Sequence, residues 1–492
     1  MGRRVGLAGL LVVCTAGTAL AQESAPVSVP PSAAAAVPGD TTFTVENLTR
    51  AELWRFFTPP PGGGRHPDYA YIGSRATLGA SYRGPRWGVR GDIQYVRLEN
   101  LPEGAVGPGL LGSGGAYFFQ AGGTFSYQFY LRALSLTWRD GRVGAWIEAG
   151  RFSRAAAAEP TSGDAAIDTL TRAHLNGRLL GDMEWSFYQR AWDGVRAGRD
   201  RGRWHAMVMA ALPTQGTFEE SANLTIDKVR VAAAEVRADP GALAAHTAVT
   251  VFAHGYDDQR RITARPDNVE SSPPQAIAVR IGTAGASAVG AFPQGSRRWD
   301  AVVWTAFQSG DWYGQGHRAY AAAGQVGHQW TAAPGEPWLR AGLDYASGDG
   351  DGRDRTHGTF FPMLPSGDHL SRSSTYALMN VQDAWVEVRM SPTRALDAQA
   401  AVHAVGLAQP ADRWYTGSGA TARAGNYFGF QGRNTGGART LGTVVEGELT
   451  WQPVRRWTLR GYAGRMTGGE AVQRLFAGDR LVTAWFETRF SF

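Results

Sequence analysis

Cysteine and lysine are almost missing from this chain, and long apolar runs are missing too. In 492 residues the only cysteine is Cys14 and the only lysine is Lys228, so arginine supplies the rest of the 49 basic residues. One cysteine rules out a disulfide framework and a cysteine-ligated zinc site. Because no stretch of about 18 uninterrupted apolar residues occurs, a transmembrane helix is also excluded.

The charge balance argues against nucleic acid as a partner and leaves anionic ligands open. The 49 basic residues exceed the 43 acidic ones by a formal charge of only +6, with no clustered basic face. Arginine has a planar fork that matches carboxylates and phosphates better than the point charge of lysine does. The chain is 43% hydrophobic and has no internal linker, which favours one large all-β domain over several small ones.

The first 21 residues have the pattern of a secretory signal. Arg3 and Arg4 precede an apolar stretch over residues 5–18, and residues 19–21 (Ala-Leu-Ala) form a small-x-small cleavage site. Cleavage there removes Cys14 and two positive charges, which leaves a formal charge of +4 (6 minus 2). Residues 22–42, rich in Pro, Ala and Ser, are expected to form a flexible periplasmic lead-in, and residues 43–492 a barrel.

Period-two alternation predicts strands along the rest of the chain. Residues 71–83 alternate polar and apolar side chains, the Gly84-Pro85 turn follows, and residues 87–95 alternate again. The same hairpin pattern recurs to the C-terminus and predicts about eighteen strands. Short turns alternate with long loops along most of the chain, the largest loops being 153–191, 347–381 and 408–441. This alternation is typical of an outer-membrane β-barrel with short periplasmic turns and long extracellular loops.

The last predicted strand has the clearest pair of faces. Val482, Ala484, Phe486 and Phe490 share one face, and charged residues occur only on the other. In a bilayer the outward face must be apolar while the inward face can be wet. A terminal aromatic residue on such a strand resembles the signal read by the barrel assembly machinery. Both chain ends are therefore predicted to lie in the periplasm.

The same alternation assigns charged side chains to the lumen. The expected conduit residues are Arg75, Arg90, Asp92, Arg196, Arg280, Arg340, Arg389, Arg460 and Arg489. A lumen rich in arginine favours anions at close range. The alternative is that the arginines and carboxylates only pair across neighbouring strands and stabilise the wall. Under the first interpretation the surplus arginines contact the transported solute.

Three groups of motifs carry a family resemblance. They are Glu148–Phe152 with its Gly-Arg pair, the Trp-Asp-Gly-Val-Arg pattern within 190–196, and 345–351 (Tyr-Ala-Ser-Gly-Asp-Gly-Asp) followed by 357–361 and Pro365. These segments resemble the alginate export family of outer-membrane barrels, over about residues 52–492. The resemblance implies an eighteen-stranded, arginine-rich pore that carries an anionic polysaccharide outward.

The chain departs from that family's alginate exporter at the last short turn. Residues 453–456 form a tight turn there, in place of a long plugging segment. The gate is therefore expected in the loop 153–191, whose apolar residues Leu179, Leu180, Met183, Trp185 and Phe187 are too many for a solvated loop. The alternative is that this stretch belongs to a longer strand.

Two other kinds of site are weak. Asp349, Asp351 and Asp354 are closely spaced, as in a calcium loop, but the closing glutamate of that pattern is missing. Histidines occur on predicted strands, but spacing indicates no serine nucleophile beside them, so we expect no enzyme activity and no cofactor. The lead-in is too short for the plug domain of a TonB-dependent transporter.

These observations predict an outer-membrane channel that exports an alginate-like acidic polysaccharide. The first alternative is a general or small-solute porin of the same architecture, and the second is a surface or adhesin barrel that transports nothing. The expected partners are an anionic polysaccharide or small anionic solute, outer-membrane lipid, the barrel assembly machinery and periplasmic export proteins.

Overall fold

One antiparallel sheet dominates the computed structural model. The structure describes residues 39–61, 67–105, 114–153, 161–262, 264–269, 278–367, 370–425 and 427–492. The expected signal (1–21) and nearly all of the lead-in lie outside the described residues. The sheet has nineteen strands, and one of these is the two-residue segment Thr356–His357, which leaves eighteen long strands.

The eighteen long strands close into a barrel. In chain order they are β1 (Asp40–Arg55), β2 (Asp68–Arg83), β3 (Trp87–Glu99), β4 (Phe125–Asp140), β5 (Ala145–Phe152), β6 (Trp192–Arg201), β7 (Trp204–Pro213), β8 (Val229–Ala238), β9 (Thr247–Asp258), β10 (Val279–Gln294), β11 (Arg297–Trp312), β12 (Gln315–Gln329), β13 (Trp338–Ala346), β14 (Val381–Thr393), β15 (Leu396–Gly406), β16 (Thr440–Val454), β17 (Trp457–Gly468) and β18 (Arg480–Ser491). Each strand pairs with its neighbours in sequence, and β18 pairs with β1 in the register Arg50↔Glu487. The predicted eighteen-stranded antiparallel barrel is confirmed.

The two faces of each strand differ as a bilayer requires. On β11, Trp299, Val303 and Phe307 point outward and are exposed, whereas Asp300 and Gln308 point inward and are buried. Lipid provides no hydrogen-bond partners, so a closed barrel must pair all its backbone groups and keep polar side chains inside. The last strand follows the predicted register, because Phe486 is exposed outward and Glu487 is buried inward.

Turn length separates the two rims of the barrel. The turns that follow the even-numbered strands form the short-turn rim, and the loops that follow the odd-numbered strands form the long-loop rim, with 313–314 between β11 and β12 as a short exception. The strand β1 begins at Asp40, three residues before the expected start of the barrel at residue 43. The reason is that Asp40 and the two residues after it already pair with the end of β2, in the register Asp40↔Arg83.

The described connections between strands contain three helices: α1 (Gly114–Ala121), α2 (Ala165–His174) and α3 (Glu470–Leu475). Asp164 caps α2 by accepting hydrogen bonds from Ala166 N at 2.8 Å and Ile167 N at 3.2 Å. None of the described helices has the length and apolar character needed to cross a bilayer.

The helix α2 lies inside the barrel near the short-turn rim. Its buried residues Ile167 and Leu170 pack in one cluster with Val289, Val302 and Trp338, which are inward residues close to short turns. The loop that carries α2 therefore enters from the long-loop rim and extends deep into the lumen. This places an apolar helix face against an apolar part of the inner wall.

Candidate functional site: the lumen and its constriction

Three long loops fold into the lumen and pack against one another. These inner loops are the described residues within 153–191, 347–380 and 407–439. Leu180 and Leu364 form a bridge across the lumen, in which Gly181 N donates to Leu364 O at 2.8 Å and Leu364 N donates to Leu179 O at 2.9 Å. All of these leucines belong to the largest buried apolar cluster. Their burial supports the expectation that 153–191 folds inward, and its described part from residue 161 holds a helix rather than a longer strand.

Arg190 ties the three inner loops together. Its guanidinium donates to Gly181 O and to Leu364 O at 2.9 Å each, and to Ser418 O at 2.8 Å. Arg190 is fully buried. Burial lowers its pKa to about 10, so it remains protonated at neutral pH. One side chain therefore supplies donors to carbonyl groups of all three loops.

A second arginine fixes the third loop to the wall. Arg260 and Asp258 form a buried ion pair at 2.7 Å, and the guanidinium also donates to Ala422 O and Phe428 O at 2.9 and 2.6 Å. Asp258 ends β9, so the contact joins the inner loop 407–439 to the barrel wall. The constriction is therefore held by buried charged groups as well as by apolar packing.

Four of the expected conduit arginines lie on the inward face near the short-turn rim. Arg90 and Arg460 follow the starts of β3 and β17 by three residues, and Arg389 and Arg489 precede the ends of β14 and β18 by four and two residues. Their strands begin or end at short turns, so the four side chains share one level of the barrel. They form a partial ring of positive charge at this rim.

Arg90, Arg460 and Arg489 each form an ion pair with a carboxylate of the wall. In each of these pairs the arginine side chain is more exposed to the lumen than its carboxylate partner. The exposed fraction of the side chain is 43% for Arg90 against 8% for Asp92, and 27% for Arg489 against 2% for Glu487. Arg460 is 23% exposed against 7% for its partner Glu448. The carboxylates therefore lie against the wall, and lumenal water meets the guanidinium groups.

Three expected conduit residues are instead buried contacts of the wall and loops. Arg75 donates to the carbonyl groups of Glu184 and Ser186 in the first inner loop, at 3.1 and 2.9 Å. Arg196 pairs with Glu148 at 2.5 Å, and Arg340 pairs with Asp300 at 3.1 Å. For these three the wall-pairing alternative describes the geometry better.

The structure corrects the predicted placement of Arg280, which does not face the lumen. Val279 and Ile281 on β10 are buried inward, so the side chain between them points outward and is 75% exposed. Its neighbour Asp257, at 3.8 Å, is likewise on the outward face of β9. In the sequence Gln-Ala-Ile-Ala-Val-Arg the only charged residue is Arg280 itself. Because no second charged residue marks the inward face, the alternation predicts the wrong face for Arg280.

Sequence reasoning missed Arg372, which lies in an inner loop. Its guanidinium pairs with Glu448 at 2.6 Å and remains 32% exposed. It borders an open recess of about 230 Å³ that Glu387, Glu446 and Tyr462 also line. No strand pattern covers residue 372, so periodicity gives no signal for its place in the lumen.

Glu184 is a titratable group of the first inner loop, and its side chain is exposed to water in the lumen. The surrounding protein still limits its access to bulk solvent and, together with the charge of Asp182, raises the pKa of Glu184 to about 7. Arg132, Arg75 and Arg489 act on the same carboxyl group in the opposite direction. The negative charge in this part of the lumen therefore changes near neutral pH.

Anion preference is expected to increase as the pH falls from about 8 to about 6, because protonation of Glu184 removes a lumenal negative charge. The anion-to-cation permeability ratio, obtained from the reversal potential in a salt gradient, measures this. Glu184→Gln should give the low-pH ratio at both values. A pH response that persists in this variant would assign the titration to another group.

The three loop aspartates do not converge on a metal. Asp351 and Asp354 accept backbone N–H groups of their own turns, from Arg353 at 3.0 Å and Thr356 at 2.8 Å. Burial, together with the charge of Asp412, raises the pKa of Asp349 to about 6. Within the described residues no group of three metal-binding side chains is present.

The sequence matches the model of one protein family over most of the barrel. The sequence model of the alginate export family matches residues 170–479, which is more than half of the chain. The protein belongs to the alginate export family. No curated protein sequence matches this family member.

Solved structures similar to this family member are outer-membrane porins. OccAB1 of Acinetobacter baumannii has a TM-score of 0.58 at 9% identity, over 94% of this chain and 99% of that one. A BenF-like porin from Pseudomonas fluorescens Pf-5 has a TM-score of 0.59 at 11% identity, over 92% and 98%. OccK2 (OpdF) of Pseudomonas aeruginosa, solved in complex with glucuronate, has a TM-score of 0.54 at 8% identity, over 92% and 96%.

The family and the barrel together identify an outer-membrane channel. The solved porins, at identities this low, establish the fold alone.

Proposed function

We propose that this channel conducts carboxylate-bearing solutes and that it exports an alginate-like acidic polysaccharide. The observation that carries the proposal is the exposure of Arg90, Arg460 and Arg489 beyond their carboxylate partners. A solute in the lumen meets guanidinium groups first, and these form charge-assisted hydrogen bonds to carboxylates. Several weak contacts at one level favour entry without binding too tightly for release.

The two rims support an orientation with the short turns in the periplasm. The start of β1 and the C-terminal residue lie at the short-turn rim, where Val45 and Phe492 exchange backbone hydrogen bonds. In outer-membrane barrels the short turns face the periplasm, so the arginine ring would be the periplasmic entrance. A chain made inside the cell would meet these arginines and the helix α2 at one level, and the rest of the inner loops afterwards.

The constriction supports a second candidate, a channel for small anions such as single uronates. The inner loops pack with the wall in one buried cluster, and a polymer requires them to part more widely than a small solute does. Chain length separates the two candidates, because only a polymer exporter gains affinity with each added sugar unit that reaches another arginine.

Current block by oligosaccharides tests the proposal. Purified protein in a planar bilayer is titrated with oligomannuronates of increasing length and with neutral malto-oligosaccharides of the same lengths. We expect the acidic chains to block at concentrations about tenfold lower, with block strengthening with length. Block by short uronates with no length dependence would favour the small-solute channel, and equal block by neutral chains would contradict both candidates.

A further inference from the structure

The outward face at the long-loop rim carries a group of arginines near the seam of the barrel. Arg465, Arg480 and Arg55 lie on β17, β18 and β1 respectively, and all three are exposed. The residues next to them in the strands, such as Met466 and Leu481, are buried and face the lumen. Because neighbouring residues of a strand point to opposite faces, the arginines point outward. The three guanidinium groups therefore project from the membrane-facing surface, not into the lumen.

Strand register places these arginines in one patch. Arg465 on β17 and Arg55 on β1 both stand opposite Val482 on β18, and Arg480 is two residues from Val482 on the same face. Adjacent strands are about 4.8 Å apart, so the Cα atoms of Arg465 and Arg55 are about 10 Å apart. We call these three residues the seam patch.

The three members of the seam patch have no ion-pair partner among the described residues, and they stand together on adjacent strands. Other outward arginines at this rim differ in one of these respects. Arg97 pairs with Glu99, and Arg280 lies near Asp257. Arg318 on β12 has no ion pair either, but it stands opposite Ser309 and not beside another arginine. Asp68 faces Arg55 across β1 and β2, but the two side chains form no ion pair. The seam patch therefore concentrates positive charge on the membrane-facing surface.

An apolar surface continues from the patch toward the middle of the barrel. Leu53 on β1 and Phe486 on β18 point outward and are strongly exposed, as are Val445 and Leu449 on the neighbouring strand β16. A ligand that satisfies the whole surface has an anionic head at the rim and hydrocarbon below it. A membrane lipid has this shape, and a free anion does not.

We propose that the seam patch binds the phosphate groups of a phosphorylated glycolipid in the outer leaflet. Arginine is well suited to phosphate because its fork donates two parallel hydrogen bonds. The Cα atoms of Arg465 and Arg55 are about 10 Å apart, which is more than one phosphate group spans. This separation suits a disaccharide head group that carries a phosphate at each end. The outer leaflet follows from the orientation given under the proposed function, not from the solute that the channel conducts.

Binding of lipid A to the purified barrel in detergent tests this assignment, with native mass spectrometry as the readout. The variant carries Arg55→Gln, Arg465→Gln and Arg480→Gln, and the matched control carries Arg97→Gln, Arg280→Gln and Arg318→Gln, which removes the same charge from the same rim. We expect the seam variant to bind lipid A about tenfold more weakly and the control to stay within about threefold of the parent.

Three further probes identify the ligand chemistry. Dephosphorylated lipid A, phosphatidylglycerol and inorganic phosphate should each bind the parent protein at least about tenfold more weakly than lipid A. Equal binding of lipid A by the seam variant and the parent would overturn the site. Equal binding of phosphatidylglycerol or of the dephosphorylated lipid would overturn the glycolipid phosphate as the ligand. Channel conductance should be unchanged in the seam variant, so the channel function is tested separately.

Discussion

Arg190→Gln is expected to raise the single-channel conductance about three- to tenfold while the barrel stays folded. The substitution removes donors from the carbonyl groups of Gly181, Leu364 and Ser418, which lie in three different inner loops. Leu364 O keeps its hydrogen bond from Gly181 N, and each of the other two buried carbonyls that is left without a donor costs roughly 1–3 kcal/mol. This loss falls on the packing between loops, because the wall strands pair with one another and not through Arg190.

A disulfide provides the matched test for this first prediction. Leu180 and Leu364 are bridge partners, so cysteines at these positions satisfy the spacing that a disulfide needs. In the Arg190→Gln background the oxidised Cys pair should restore low conductance, and reduction should raise it again. Cys14 lies in the expected signal, so no other cysteine competes in the mature chain. An Arg190→Gln channel that conducts like the parent would show that the loops are not the constriction.

The second large effect is expected from neutralising the arginine ring. Replacing Arg90, Arg389 and Arg460 together with Gln should lower the anion-to-cation permeability ratio roughly three- to tenfold. Arg90 and Arg460 are the lumenal members of their ion pairs, and the charge of Arg389 acts on Glu387, so the loss of all three exposes the field of these carboxylates. The reversal potential in a salt gradient measures the ratio directly.

The wall should survive this triple change. Glu448 keeps its contact with Arg372 at 2.6 Å, and Glu487 keeps Arg50 at 3.3 Å and Arg489 at 3.5 Å. Gln at position 90 retains an amide that can donate to Asp92. The control Arg97→Gln, Arg280→Gln, Arg318→Gln removes equal charge from the outside and should leave selectivity unchanged. Equal shifts in both variants would assign selectivity to the overall charge of the barrel.

The barrel itself could be predicted from the sequence because each strand obeys one local rule. Odd and even positions of a strand point to opposite sides, one to the lumen and the other to the lipid. The bilayer requires apolar residues on the lipid side of every strand. Charged inward and apolar outward residues therefore identified β3, β17 and β18 with the correct register. Arg280 shows where the rule weakens, since its strand has small residues on both faces and offers little contrast.

The constriction could be predicted only in outline. The apolar content of 153–191 indicated that this loop packs inside, but the contact between Leu180 and Leu364 joins residues far apart in the chain. Arg190 was visible within a family motif, yet its role depends on carbonyl groups from two other loops. Backbone carbonyls are the same at every residue, so no sequence pattern identifies which of them an arginine will meet.

Leakage from proteoliposomes tests the central claim most directly. Vesicles that contain the purified channel are loaded with labelled oligomannuronate or with a neutral oligosaccharide of equal length, and release is followed over time. We expect the acidic chain to leave faster than the neutral chain, and neutralisation of Arg90, Arg389 and Arg460 to remove most of that difference. Equal release of the two chains, or faster release of the neutral one, would contradict an arginine-lined conduit for acidic polysaccharide.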